Sequence, residues 1–374
     1  MRAPFHLGYR PSLDGVRGVA IILVVIHHLR HIVPGFLRYF GGGYLGVDLF
    51  FVLSGFLITS LIIEEHDQFG SVSLSRFYIR RALRLLPAVA AALLVAVIIG
   101  SLLGFSFIDI TPLRFASILG YFTNWVRAYE APDMWFLSHF WSLAIEEQFY
   151  LLWPAFLIGL LALPRQAVLT IVVTLVAGSA TLMMVLYLSG TDPQRIFAGS
   201  DTRAFQLLTG CLASMTLHRE RLPAWLSEKS RNALASASLV LLAGAFVIAR
   251  PELPVMYVAG HQVITLCAAL LILHVTVDRS AISRLLQSRI LIWFGKRSYG
   301  LYVWHFPIFY VIAKLEMPWL APFAVALAVA ACVLSYRFIE LPFLRMKSQY
   351  AESVPRHRNV VPHVQSMMNS VERV

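Results

Sequence analysis

Charged side chains are scarce in this sequence: Asp, Glu, Lys and Arg make up 14% of its 374 residues, against 58% hydrophobic. A soluble domain carries about 25% charged and roughly 45–50% apolar residues, so a water-soluble fold is excluded. Cysteine is scarcer still. Cys211, Cys267 and Cys332 lie far apart in apolar segments with no CxxC spacing, which removes a disulfide framework, a thiolate metal site and a dithiol redox centre. Acidic residues number 20 against 31 basic ones, for a formal net charge of +11. Nucleic acid is not the implied partner, because Lys and Arg sit in short loops between apolar runs rather than on one polar surface.

What is present is a series of apolar runs, with a mean hydropathy of +0.71. Each is near the roughly 20 residues needed to cross about 30 Å of hydrocarbon. Hydropathy predicts spans at 13–33, 44–63, 86–107, 139–162, 167–188, 202–218, 233–249, 259–277, 289–313 and 318–340. The sixth is diluted by Asp201, Arg203 and Gln206, and Leu113–Trp125 reads as a re-entrant or interfacial segment. The first run lacks a small-residue cleavage site and leads directly into the second, so it reads as a retained span. With about ten spans both termini share one side. Arg76, Arg80, Arg81 and Arg84, then Arg219, Arg221, Lys229 and Arg231, then Arg279, Arg284 and Arg289 fall on that side. The opposite loops hold fewer: Arg30, Arg38, Arg114, Arg127, Arg195, Arg250 and Lys314. The asymmetry makes both termini cytoplasmic. The expectation is an all-α, polytopic transmembrane bundle over residues 1–345, multi-pass in the cell membrane, followed at 346–374 by a polar, disordered cytoplasmic tail.

Ionisable residues inside such spans are costly and mark function by default. Arg17 and His28 are eleven positions apart in the first span, which puts them on one helix face roughly 16 Å apart along the axis. Asp48 enters the second span about one turn deep, where the outer half of the first span offers His27 or His28 as its partner. Next to it, Ser54 and Gly55 read as residues of close helix packing. Arg81 and Arg84, at i and i+3, share a face suited to phosphate, with positive-inside anchoring as the bland alternative. Glu146 and Glu147 are adjacent in an aromatic stretch, so at most one faces a shared cavity. His305, about 24 Å along the ninth span from its start, reaches the outer half as well. His28, Asp48, Glu146 and His305 thus gather at a similar depth, and Arg17, Arg81 and Arg84 collect inside. That arrangement suits an anionic donor on the cytoplasmic side and a proton-transferring site towards the outside.

Taken together, SLDGVRGVAIILVVIHH, GVDLFFVLSGFLIT, RRALRLLP, WSLAIEEQFYLLWP, SYGLYVWHFPI and FIELP resemble the acyltransferase 3 family of membrane O-acyltransferases, over nearly the whole chain to about Leu344. The resemblance implies transfer of an acyl group, acetyl by default, from cytoplasmic acyl-CoA to a hydroxyl of a carbohydrate or glycoside. It implies no metal and no tightly bound cofactor, acyl-CoA being a co-substrate. Arg17, Arg81, Arg84 and His305 would bind substrate. His28 would be the general base or a transient acyl carrier, with Asp48 orienting it and Glu146 contributing. Some relatives end in an extracytoplasmic hydrolase-like domain; the expectation here is a stand-alone form that recognises its acceptor through membrane loops or a partner. The rival class is a transporter or export factor, with the polar line of the first span as its pathway. It calls for an internal repeat and paired broken helices, and the sequence displays neither.

Overall fold

The computed structural model describes residues 6–33, 35, 39–130, 134–219 and 227–352. Among these the chain is helical throughout, with no strand. Arg38, Arg221 and the end of the predicted tail, from residue 353, lie outside the described residues. In chain order the helices are α1 (Pro11–Leu29), α2 (Leu45–Phe69), α3 (Leu74–Leu103), α4 (Phe105–Ile108), α5 (Pro112–Leu119), α6 (Thr123–Tyr129), α7 (Phe140–Leu161), α8 (Arg165–Leu188) and α9 (Pro193–Ala198). There follow α10 (Ser200–Arg219), α11 (Glu228–Ile248), α12 (His261–Val277), α13 (Ala281–Leu286), α14 (Arg289–Lys296), α15 (Ser298–Lys314), α16 (Ala321–Ser335) and α17 (Leu341–Glu352).

Eight segments among the described residues are long and apolar enough to cross a membrane. Two of the ten predicted spans fall outside that set for identifiable reasons. The sixth is the helix α10, but its polar first turns dilute its apolar character. The ninth is not one helix: the backbone breaks at Arg297 (φ −107°, ψ 8°) between the eight residues of α14 and the seventeen of α15. His305 is therefore seven residues into α15, about 10 Å along its axis, rather than 24 Å along a continuous helix. The third span starts earlier than its apolar core. Helix α3 begins at Leu74 and carries Arg76, Arg80, Arg81 and Arg84 within its first three turns. Leu113–Trp125 forms no span; it contributes α5 and the start of α6. The last helix continues past residue 345 to Glu352.

Local chemistry sets the helix ends. Pro11 occupies the first turn of α1 and Asp14 follows at its positive end, both favourable placements. Helix α2 stops at Gly70, whose left-handed φ of 69° lets its N–H reach the carbonyl of His66 at 2.8 Å.

Lipid removes most of the hydrophobic drive between helices, so packing and polar links must hold them. The pair α2 and α10 uses both. A Cβ on Gly55 would collide with the carbonyl of Leu207, and one on Gly210 with that of Val52, so the two backbones touch because both residues are glycine. Ser60 and Ser214 add a hydroxyl pair at 2.8 Å, and Trp153 of α7 donates to Thr59 at 2.9 Å; such links contribute about 0.6 kcal/mol each on average. Helix α1 is enclosed by α2, α12, α14 and α15. Its polar face therefore looks into the bundle.

Candidate functional site

The structure divides the predicted site residues into three groups. The first surrounds His28. His305 Nδ1 lies 2.8 Å from the carbonyl of Leu301, which can only accept, so Nδ1 carries the proton. Neutral His305 then offers Nε2 as an acceptor, and His28 Nδ1, 3.0 Å away, donates to it. The tautomer of His28 follows. Its Nε2 is left with a free lone pair, the state a general base requires. His139 joins this group with its ring centroid 5.6 Å from that of His305 and stacked 4.7 Å from Phe306. The edge of Phe306 also meets His28 at 4.8 Å. Tyr302 donates to the carbonyl of His139 at 2.5 Å and in turn accepts from Ser142 at 2.6 Å, which fixes that backbone.

The second group corrects the expected role of Asp48. Its carboxylate does not orient His28; it accepts from Arg203 Nη2 at 2.5 Å and from His261 Nδ1 at 2.6 Å. Asp48 and Arg203 are fully buried, and His261 is 1% exposed. The three belong to α2, α10 and α12. Removing one member of a buried pair leaves an uncompensated charge, which costs about 3–5 kcal/mol. We therefore expect Asp48→Ala to lower the thermal midpoint of the detergent-solubilised protein sharply, and Asp48→Leu with Arg203→Met together to recover most of it. A double variant no better than the single one would remove the ion pair as the cause.

The third group gathers around α3 and α7. Glu146 was expected level with His28; instead it accepts from Ser54 at 2.6 Å and lies within electrostatic reach of Arg81, Arg17 and Arg84. So Ser54 does more than pack. Arg17 bonds Asp14 at 3.3 Å. Arg81 stacks its guanidinium 3.6 Å from the ring centre of Tyr150 and has an unbonded, buried Nε. Arg84 makes no hydrogen bond or ion pair with any described residue; its electrostatic neighbours are Arg17, Arg81, Tyr150 and Glu340. Their neighbours on α3 differ. Arg80 pairs with Glu65 at 3.2 Å and Arg76 approaches the same carboxylate at 4.0 Å. Arg81 and Arg84 are half-buried and close to Arg17, with Glu146, Glu147 and Glu340 as their acidic neighbours. Glu340, the acid of FIELP, ends a π-helical turn at Tyr336–Glu340 and stands against Gly300. Such turns recur at functional sites.

Sequence reasoning missed Arg203, His261 and His139. The signal for Arg203 was present: an arginine and a carboxylate diluting two different spans call for each other. Among the described residues no group of three or more His, Cys, Asp or Glu side chains is arranged to hold a metal ion.

Fold and site together define a multi-pass membrane protein with a cluster of imidazoles and a separate cluster of guanidinium groups among its helices. A family model described as an acyltransferase domain matches residues 10–339, and the chain belongs to the acyltransferase 3 family. It is 36% identical over 357 residues to the peptidoglycan O-acetyltransferase OatA of Listeria monocytogenes, covering 89% of this chain and 56% of that protein. It is 35% identical over 358 residues to the putative peptidoglycan O-acetyltransferase YrhL of Bacillus subtilis, covering 90% and 55%. A putative O-acetyltransferase of Staphylococcus aureus is 34% identical over 352 residues, covering 90% and 57%. The chain thus spans a little over half the length of these curated relatives. No solved structure matches it.

Proposed function

We propose that the protein is a membrane O-acetyltransferase that takes an acetyl group from acetyl-CoA at the cytoplasmic face and transfers it to a carbohydrate hydroxyl near the opposite face. The acetyl donor and the carbohydrate acceptor follow the relatives' names and the family's chemistry. The observation that carries the reading is the presence in one bundle of a lone-pair imidazole, His28 Nε2, and of Arg81 and Arg84, neither of which makes a salt bridge with a described residue. Arg81 and Arg84 hold the phosphates of coenzyme A, and Arg17 lines the route its pantetheine arm takes along α1. His28 Nε2 removes the proton from the acceptor hydroxyl as that oxygen attacks the thioester carbon. The carbon–sulfur bond breaks, and the departing thiolate takes the proton back from the imidazolium, so the cycle closes without net proton change.

His305 acts through His28 by fixing its tautomer. His305→Ala is expected to lower kcat about 10–100-fold, as loss of an orienting partner commonly does, and to leave KM for acetyl-CoA near its original value. A rise in KM with kcat intact would make His305 a donor-binding residue instead. The direct test of the function is ester formation by purified protein in nanodiscs supplied with radiolabelled acetyl-CoA and a glycoside. Hydrolysis of acetyl-CoA without an acetylated sugar would sink it.

A further inference from the structure

Arg127, on α6, is unused by this mechanism. Its guanidinium sits 5.3 Å from the ring centre of Trp141 and 5.8 Å from that of Phe197. The same two rings, 4.8 Å apart, also carry Arg203, at 5.9 and 5.0 Å. Two arginines thus share one aromatic wall, and only one has a counter-ion. Arg203 is paired with Asp48, whereas Arg127 makes no hydrogen bond or ion pair with any described residue. Other arginines of this region are neutralised: Arg114 by Asp109 and Glu130, both at 3.0 Å, and Arg195 by Asp201 at 2.6 Å. No carboxylate stands among the groups that act electrostatically on Arg127, which are Tyr302, Arg30 and Tyr257. A half-buried guanidinium without an anion is costly to retain.

Trp141, over which Arg127 lies, follows His139 by two residues at the start of α7, and the His139 ring centroid is 5.6 Å from that of His305. The guanidinium thus lies beside the histidine cluster, on the side of His139. His139 has neither ring nitrogen hydrogen-bonded. We propose that Arg127 is the subsite for an anionic group, a carboxylate or a phosphate, that the acyl acceptor carries beside the hydroxyl to be acylated. The identification of that ligand as the acceptor rests on the acyl-transfer reading above. Trp141 and Phe197 flank the guanidinium, and the sugar sits against the histidine cluster.

The test compares two probes with the same hydroxyls, the methyl glycoside of N-acetylmuramic acid and its carboxamide. Wild-type protein is expected to use the acid with a kcat/KM at least about 10-fold above the carboxamide, the scale of one charge-assisted hydrogen bond. Arg127→Gln should bring that ratio to about 1, and Arg127→Lys should keep part of it. Equal losses on both probes, or an undiminished preference in Arg127→Gln, would overturn the subsite. Equilibrium binding of each probe, read by tryptophan fluorescence, separates the two claims and does not depend on turnover. Preferential binding of the acid by wild type that Arg127→Gln abolishes, with acetyl transfer to neither probe, would sustain the subsite and defeat the acyl-transfer reading. Acetyl transfer with no discrimination between the probes would do the opposite.

Discussion

Replacing His28 by Gln should lower acetyl transfer by about 10²–10⁴-fold, the range attributed to a positioned general base. Glutamine suits this test because its amide can still donate to His305 Nε2, as His28 Nδ1 does at 3.0 Å. The polar link between α1 and α15 then survives, and the unprotonated Nε2 alone is lost. Binding of coenzyme A should change little, because Arg81 and Arg84, proposed to hold its phosphates, belong to α3 and lie outside the histidine group. The measurement is initial velocity with labelled acetyl-CoA in nanodiscs, alongside equilibrium binding of coenzyme A. A His28→Gln protein with wild-type turnover would remove the imidazole from the chemistry.

The second large effect belongs to the arginines. Arg81→Ala combined with Arg84→Ala should weaken coenzyme A binding on the order of 100-fold or more, since each charge-assisted hydrogen bond to phosphate contributes about 1.5–3 kcal/mol. Insertion into the membrane should be preserved, because Arg76 and Arg80 remain on the same turns of α3 to hold the loop charge, paired with Glu65. Lysine at both positions should restore part of the affinity, as a point charge does for phosphate without the bidentate fork. If the alanine pair bound coenzyme A as wild type does, these residues would be anchors. If only Arg76→Ala and Arg80→Ala weakened binding, the assignment within the helix would be reversed.

The fold was legible in the sequence wherever a single helix carried the information. Apolar runs located the spans, and the eleven-residue spacing put Arg17 and His28 on one face. Gly55 was readable as a site of close packing from its size alone. Failures came where a side chain finds its partner on a distant element. Asp48 lies 155 positions from Arg203 and 213 from His261, and nothing local to GVDLFF says which helices will face it. Its nearest polar candidates in sequence were His27 and His28, and the fold turned them elsewhere. Depth misled in the same way for Glu146. Counting along α7 from its start could not reveal that Ser54 and the arginines of α3 meet it there. The break at Arg297 did have a local signal, the Gly295, Lys296, Arg297 and Ser298 run that interrupts the apolar stretch, but hydropathy averaged over the span hid it. The histidine pair was half legible: each residue stood out, but their contact across 277 positions required the structure.

The central claim is that donor and acceptor meet from opposite ends of one bundle. It is tested most directly in proteoliposomes of known orientation, with labelled acetyl-CoA supplied only on the side of Arg81 and Arg84 and the glycoside only on the side of His28 and His305. Labelled ester should accumulate on the glycoside side, and reversing the two substrates should abolish it. Ester formed only when both substrates share one side would contradict the account.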